Sequence, residues 1–442
     1  MVFGGTVGAG ILRLPGTLAA ALGDSHTILM FWVLGGAYAL LGAVSVSELA
    51  AMLPEAGGCY VYARRAFGDL VGFLVGWSDW FNQIAALAYV SLTATEYLGA
   101  LWPNVAPYSR MGAVLVIVAL TAIQWVGLKI GGVVTRVIAV TIGLMMLVLI
   151  VACFIAPAAP AGPTIPASAA TLPLFSLAMA AVVVTAMRAV LVTYDGWYSP
   201  IYLAEESTDP ARTLPRSIIG GTVVLIVLYV LINAAVLRVL PLSALAASQL
   251  PAADAARIVL PRGGATLVTV ISLLTVLSLV NATLLMAPRI LLATGRDGLF
   301  TAKAAAVSAG GTPRVALTIT SIGTIALILT GTFKQIVALA AVLFLLTYIA
   351  MYAAVFVLRW REPDLPRPYR AFGFPFTTGI VLLGCLSVLI AAAMEDPHSA
   401  ATAAILLGVC ALLGVGVRGY RRFANRGKPS APGSGPSIEV GR

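Results

Sequence analysis

Long uninterrupted runs of apolar residues divide this chain, and its polar positions gather in short stretches between them. The runs lie near 2–22, 27–52, 68–99, 111–128, 133–156, 176–206, 217–240, 264–294, 315–332, 335–358, 374–394 and 399–417. A helix crossing the hydrocarbon core of a bilayer takes about 20 apolar residues. The runs are continuous and do not alternate apolar with polar positions as the strands of a membrane barrel do. The links are short and carry Gly and Pro, as in PEAGG at 54–58 and PAAPAGP at 157–163. The pattern predicts an all-α polytopic membrane protein of about twelve transmembrane helices. The Gly/Pro/Ser-rich tail, 426–442, is expected to be disordered and cytoplasmic.

Composition agrees with a membrane chain. Hydrophobic residues make up 60% and charged residues 10%, against about 25% charged in an ordinary soluble domain. The formal charge of +10 would suggest nucleic acid in a soluble protein. Here its distribution explains it, and no nucleic-acid partner is expected. With the N-terminus placed in the cytoplasm, 20 of the 27 Lys and Arg fall in cytoplasmic loops, helix ends and the tail, and 6 fall on the other side. Arg188 lies within the sixth run. This asymmetry fits twelve spans with both termini inside, in the inner (cytoplasmic) membrane, with no cleavable signal peptide. Cys59, Cys153, Cys385 and Cys410 are far apart with no CxxC pair and read as buried free thiols. His26 and His398 both sit in short loops. No metal site and no cofactor is expected.

Two spans break the helical pattern. Span 1 carries GGTVGAGI at 4–11 followed by Pro15, and span 6 carries TYDGWYSP at 193–200. Glycine loosens a helix and proline removes a donor. In lipid the freed backbone groups must line a cavity or be buried in protein. Interrupted helices five spans apart, in matching places of two halves, point to a transporter binding site. The organisation predicted is spans 1–5 (1–156) and spans 6–10 (157–358) as a five-plus-five inverted repeat, followed by spans 11–12 (359–425).

Five stretches in order then identify a resemblance. They are GGTVGAGILRLPG at 4–16, SELAAMLPEAGGCYVYARRAFGDLVGFLVGW at 47–77, YDGWYSPIYLAEESTDPARTLPRSI at 194–218, RILLATGRDGLF at 289–300 with GTPRVAL at 311–317, and PYRAFGFP at 368–375. Together they resemble the amino acid–polyamine–organocation superfamily of permeases, in the branch with YDGW in helix 6 that includes the L-type amino acid transporters and their bacterial relatives. The resemblance implies alternating access and an α-amino acid substrate. The carboxylate would meet the free N–H groups of Ala9, Gly10 and Ile11, aided by the helix dipole. The ammonium would meet carbonyls of Thr6, Val192, Thr193 and Asp195. Gly8 and Gly10 would keep the backbone surface open, and a leucine at either would fill the carboxylate space and force dihedrals that glycine prefers. Trp197 and Tyr198 are candidate pocket walls. Many relatives carry Asn where this chain has Tyr198, which bears on substrate size. Relatives also have about two helical turns before the first break, so the chain is expected to be short at its N-terminus.

The remaining polar residues in the spans are candidates for coupling or gating. Asp195 lies in the second break, and an ionisable group in the membrane is functional by default; capping freed N–H groups is its other role. Asp79, Asn82 and Gln83 lie together in span 3, facing either the permeation path or neighbouring helices. Arg188, seven residues before Asp195, reads as an outer-surface group paired with Glu96 or as part of an outer vestibule. Ser278 and Asn281 share a face of span 8 and suit either an ion or helix–helix bonds. Asp297 and Gly298 follow Arg296 at a helix end and should fix a loop. Some relatives hold a lysine in span 5 where this chain has Ile142, which has nothing to titrate. Exchange or facilitated transport with weak pH dependence is the expectation, and a coupling ion, H+ or Na+, would use Asp195 or the Ser278–Asn281 face.

Neutral amino acids lead as substrates, with cationic amino acids or polyamines as the alternative. An intramembrane enzyme lacks the paired groups its chemistry needs: no Ser–His pair can form and no second aspartyl segment accompanies Tyr194-Asp195. No ring of filter carbonyls or charges reads as a channel.

Overall fold

The computed structural model describes residues 2–8, 10–159, 176–248, 250–330, 333–395 and 397–426. Ala9, the stretch from 160 to 175 after span 5, and the tail from 427 lie outside them. The described chain is α-helical and polytopic. Span 1 comprises the helices Val2–Thr6 and Gly10–Leu22, and span 6 comprises Leu177–Thr193 and the 3-10 helix Ser199–Glu206. The other spans are Ser25–Met52 (2), Asp69–Leu101 (3), Ser109–Val126 (4), Leu128–Ile155 (5), Pro210–Val239 (7), Gly264–Arg296 (8), Arg314–Thr330 (9), Phe333–Arg361 (10), Phe376–Glu395 (11) and Pro397–Arg426 (12). Among the described residues eight helices are by themselves long and apolar enough to cross a membrane. Those of spans 6, 9 and 12 are apolar but shorter.

Helices dominate because a bilayer offers backbone groups no water, so each span must satisfy its own. Their arrangement follows from which faces are apolar all round. The apolar window of span 8 is 72% buried, against 17% for spans 4 and 11. Span 8 is therefore central, and spans 4 and 11 form the rim. Span 2 packs along span 7, and span 3 along spans 8 and 10. Small residues permit the close approaches. A Cβ on Gly36 would come within 2.7 Å of Ile226, and one on Gly76 within 2.8 Å of Tyr60. Asp24 starts span 2 by accepting the Thr27 amide at 2.7 Å, which holds its carboxyl below the usual carboxylate range.

Among the described residues three short α-helices lie between spans, besides the 3-10 helices Pro103–Tyr108 and Ala302–Ala305. Cys59–Phe67 joins spans 2 and 3; Leu242–Ala247 and Pro251–Val259 follow span 7 and pack on the second half of span 1. The end of the bundle where spans 2, 8 and 10 finish is held by charge. Arg64 meets Asp297 at 2.6 Å and Asp69 at 3.0 Å, and the Tyr60 hydroxyl donates to Asp297 at 2.7 Å. Arg296 meets Glu205 at 2.7 Å, and Arg289 meets Glu206 at 3.2 Å. Glu48 accepts from Arg359 at 2.8 and 2.5 Å and from the Ala371 amide at 2.7 Å. Arg296 and Asp297 thus fasten neighbouring segments, and Gly298 turns the chain with φ 67°.

Candidate functional site

The two breaks face each other inside the bundle. Val2–Thr6 ends where Gly4, Gly5 and Thr6 lie, and the second helix of span 1 starts at Gly10, so its first-turn N–H groups have no intrahelical acceptor. Span 6 leaves its helix after Thr193 and turns through Gly196, whose φ is 103°. A Cβ on Gly196 would lie 2.1 Å from the Gly5 carbonyl oxygen, and a Cβ on Gly5 would lie 2.4 Å from Ser199 Oγ. The breaks touch backbone to backbone, and only glycine allows it.

A third helix joins them. Tyr229 of span 7 is fully buried, and its hydroxyl lies 3.2 Å from both the Thr6 and the Thr193 carbonyl oxygens. One hydroxyl proton serves two acceptors, so both carbonyls retain capacity to accept. The ring of Tyr229 is fixed by Trp32 and Tyr194, at centroid distances of 5.9 and 4.9 Å. The Thr6 side-chain hydroxyl is buried and has no hydrogen-bond partner among the described residues, an unspent polar group at the first break.

Gly10 stands against Thr193: a Cβ there would lie 3.1 Å from Thr193 Oγ1. Gly8 is roomier, with the nearest atoms at 3.8 and 3.9 Å. Neither glycine has a positive φ, which corrects the expectation that their dihedrals exclude other residues. The constraint at Gly10 is space, and the conformational constraint belongs to Gly196. Ile11 is buried. Val192 has an exposed side chain, and its carbonyl accepts the Asp195 amide at 3.3 Å within the turn.

Asp195 accepts the Tyr348 hydroxyl of span 10 at 2.7 Å. Trp197, Tyr198 and Tyr348 form an aromatic group, with centroid distances of 5.3–5.9 Å. Asp79 accepts the Tyr202 hydroxyl at 2.9 and 2.8 Å, and Gln83 bonds to the same pair at 3.5 and 3.3 Å. Asn82 is also buried. Arg188 is half-buried on the first half of span 6.

Ser278 and Asn281 part company. Ser278 Oγ lies 3.5 Å from the Gly4 carbonyl of span 1. Asn281 donates to Gly131 and Thr135 of span 5, at 3.1 and 2.8 Å, and accepts from Gln124 of span 4 at 2.6 Å. Its amide ties three spans together and is spent on that. Ile142 is buried in span 5, the span whose Gly143 lies near Phe3 of span 1. Tyr229, Gly196, Tyr202 and Tyr348 were not singled out from sequence. Gly196 and Tyr202 lie in the YDGW stretch, whereas a tyrosine in an apolar run, such as Tyr229, reads equally as packing.

Sequence comparison with known proteins shows the family. The sequence matches the amino acid permease family model over residues 1–417. It is 26% identical to the serine/threonine exchanger SteT of Bacillus subtilis, covering 93% of both chains. It is 27% identical to the branched-chain amino acid permease BcaP of the same organism, over 88% of this chain and 85% of that one. The human large neutral amino acids transporter small subunit 2 is 28% identical over 84% of this chain and 70% of its own. With the family model spanning nearly the whole chain and two interrupted helices meeting at its centre, the protein belongs to the amino acid permease family, and it is a transporter, not an enzyme.

Proposed function

We propose that the protein carries neutral L-amino acids across the cytoplasmic membrane by alternating access, both termini lying inside, with the substrate held between the two breaks. The observation that carries this is unspent hydrogen bonding at a buried, central place. There the N–H groups of the Gly10 turn and the Thr6 hydroxyl seek an acceptor, and two carbonyls beside Tyr229 can take a second donor. A zwitterion supplies both, its carboxylate at Gly10 and Ile11 and its ammonium at Thr6 and Thr193. The side chain would meet Trp197, Tyr198 and Tyr348. The relatives' neutral substrates favour the same choice. A cationic side chain is the second reading, favoured by two carboxylates inside the bundle, the buried Asp79 and the half-buried Asp195, whose bonds come from tyrosines and an amide. Exchange of labelled L-leucine, L-serine and L-lysine in proteoliposomes separates the two readings. Failure to exchange any amino acid or amine would overturn both.

Two substitutions probe the substrate position. Gly10→Leu should abolish detectable substrate binding while the protein still purifies as a monodisperse species, and Gly8→Ala should bind nearly normally. Equal affinity in Gly10→Leu and the wild type would remove the carboxylate from this turn. Tyr229→Phe deletes one hydrogen bond worth about 1 kcal/mol, so substrate affinity should fall roughly five-fold. An unchanged affinity would show that the hydroxyl does not orient the two carbonyls.

A further inference from the structure

Asp79 lies ten residues into span 3, about 15 Å along the helix from its start at 1.5 Å per residue, and is completely buried. Among the described residues its hydrogen-bond partners are phenolic and amide donors: the Tyr202 hydroxyl, close to both carboxyl oxygens, and Gln83 at 3.5 Å. Among the described residues no cation forms an ion pair with it. The titratable groups around it are Tyr202 and Tyr198 of span 6, Cys59 of the short helix before span 3, and Asp195 of the second break. None brings positive charge. Arg289 of span 8 is committed to Glu206 at 3.2 Å. Spans 4, 9 and 12 also pack on span 3; their described ionisable side chains are Arg110, Arg314 and His398, all exposed, and the buried thiol Cys410.

A carboxylate buried inside the bundle and held by one phenol and one stretched amide is costly to keep ionised. The site therefore calls for a positive charge that comes and goes. Its one strong partner is also the part that must move. Tyr202 belongs to Ser199–Glu206, the half-helix that continues directly from the Asp195–Tyr198 break. The hydrogen bond thus ties the substrate-bearing half-helix to span 3.

We propose that Asp79 binds the coupling proton and that Tyr202 transmits its charge to the half-helix of span 6. With Asp79 deprotonated, withdrawal of Tyr202 would strand a buried anion, so the half-helix stays against span 3. With Asp79 protonated, withdrawal costs no more than an ordinary hydrogen bond, and the half-helix is free to move with its amino acid. The proton taken up on one side is released on the other when the carboxyl meets water. This deepens the transport reading on which it rests by naming the coupling ion. It places the proton on Asp79, where the sequence favoured Asp195, and it replaces weak pH dependence with coupled transport.

The test uses the full chain in proteoliposomes with a pH-reporting dye trapped inside, and L-leucine and L-serine as probes. Adding substrate outside should acidify the lumen. An inward gradient of one pH unit should drive up to about tenfold accumulation, the limit for one proton per substrate at 1.36 kcal/mol per unit. Asp79→Asn should show no acidification and no accumulation above equilibrium, while substrate still raises its melting temperature. Asp79→Glu should restore acidification with a shifted pH midpoint. Acidification by Asp79→Asn, or a wild type that exchanges labelled for internal leucine without moving protons, would overturn the proposal and leave the transport reading standing. Loss of all exchange in the wild type would instead sink the transport reading. If Asp79→Asn does not fold, Tyr202→Phe decides: it keeps the acid but cuts the tie, so protons should leak without substrate, and tight coupling in that variant overturns the idea.

Discussion

Replacing Gly196 with alanine is expected to cut amino acid exchange by at least ten-fold in protein that still reaches the membrane. The new Cβ would lie 2.1 Å from the Gly5 carbonyl oxygen, 2.8 Å from the Gly5 carbonyl carbon and 3.2 Å from Thr6 Cα. All three are backbone atoms, so no side chain can swing aside. The backbone angle adds to the cost, since φ of 103° is one that residues with a Cβ rarely adopt, at about 1–3 kcal/mol. Either the turn opens or the first break is pushed off the second. Both separate the Gly10 turn from Thr193, and the two halves of the proposed substrate site no longer converge. The measurement is exchange rate per mole of purified, monodisperse protein. Wild-type exchange by Gly196→Ala would mean that the two breaks need not touch during transport.

Glu48→Ala should produce the largest loss of stability. The Glu48 side chain is 2% exposed, and it neutralises Arg359 and Arg367, which are 25% and 5% exposed. It also accepts the Ala371 amide. Removing one member of such a buried cluster leaves the others charged and unpaired, which costs about 3–5 kcal/mol. The tie between span 2, the end of span 10 and the following loop would be lost. Arg359 would retain its place over the Phe374 ring, 4.0 Å from the centroid, but that contact does not cancel charge. A melting temperature several degrees lower in detergent is the expected result. Glu362→Ala is the comparison. Its partner Arg65 is 51% exposed, and a solvent-screened pair contributes up to about 1 kcal/mol. Equal melting temperatures for the two variants would show that Glu48 holds nothing that Glu362 does not.

Much of this architecture was legible in one dimension. A bilayer forces each apolar run of about 20 residues to satisfy its own backbone, so the runs give the helices and Gly-Gly-Thr-Val-Gly and Tyr-Asp-Gly-Trp give the breaks. The structure begins span 3 at Asp69 and span 8 at Gly264, at or within one residue of the runs. The site was legible as two stretches and was not legible as contacts. Nothing near Tyr229 in sequence says that its hydroxyl meets carbonyls 223 and 36 residues away. The sequence around Glu48 carries no sign of its role, because its partners Arg359, Arg367 and Ala371 belong to other segments. Asn281 was readable as a candidate ion ligand until its amide was found bonded to spans 4 and 5.

Apolar length, the placement of Gly and Pro, and the bias of Lys and Arg determined by themselves that this is a bundle of membrane helices broken in two places. Those signals are local, because the lipid acts on each span separately. The tertiary structure alone decided which groups are spent and which remain open. The Thr193 carbonyl is shared with Tyr229, the Thr6 hydroxyl is unpartnered, and Asp79 is fastened to the half-helix of span 6. A hydrogen bond depends on distance and direction between segments remote in the chain, and apolar periodicity carries no record of either.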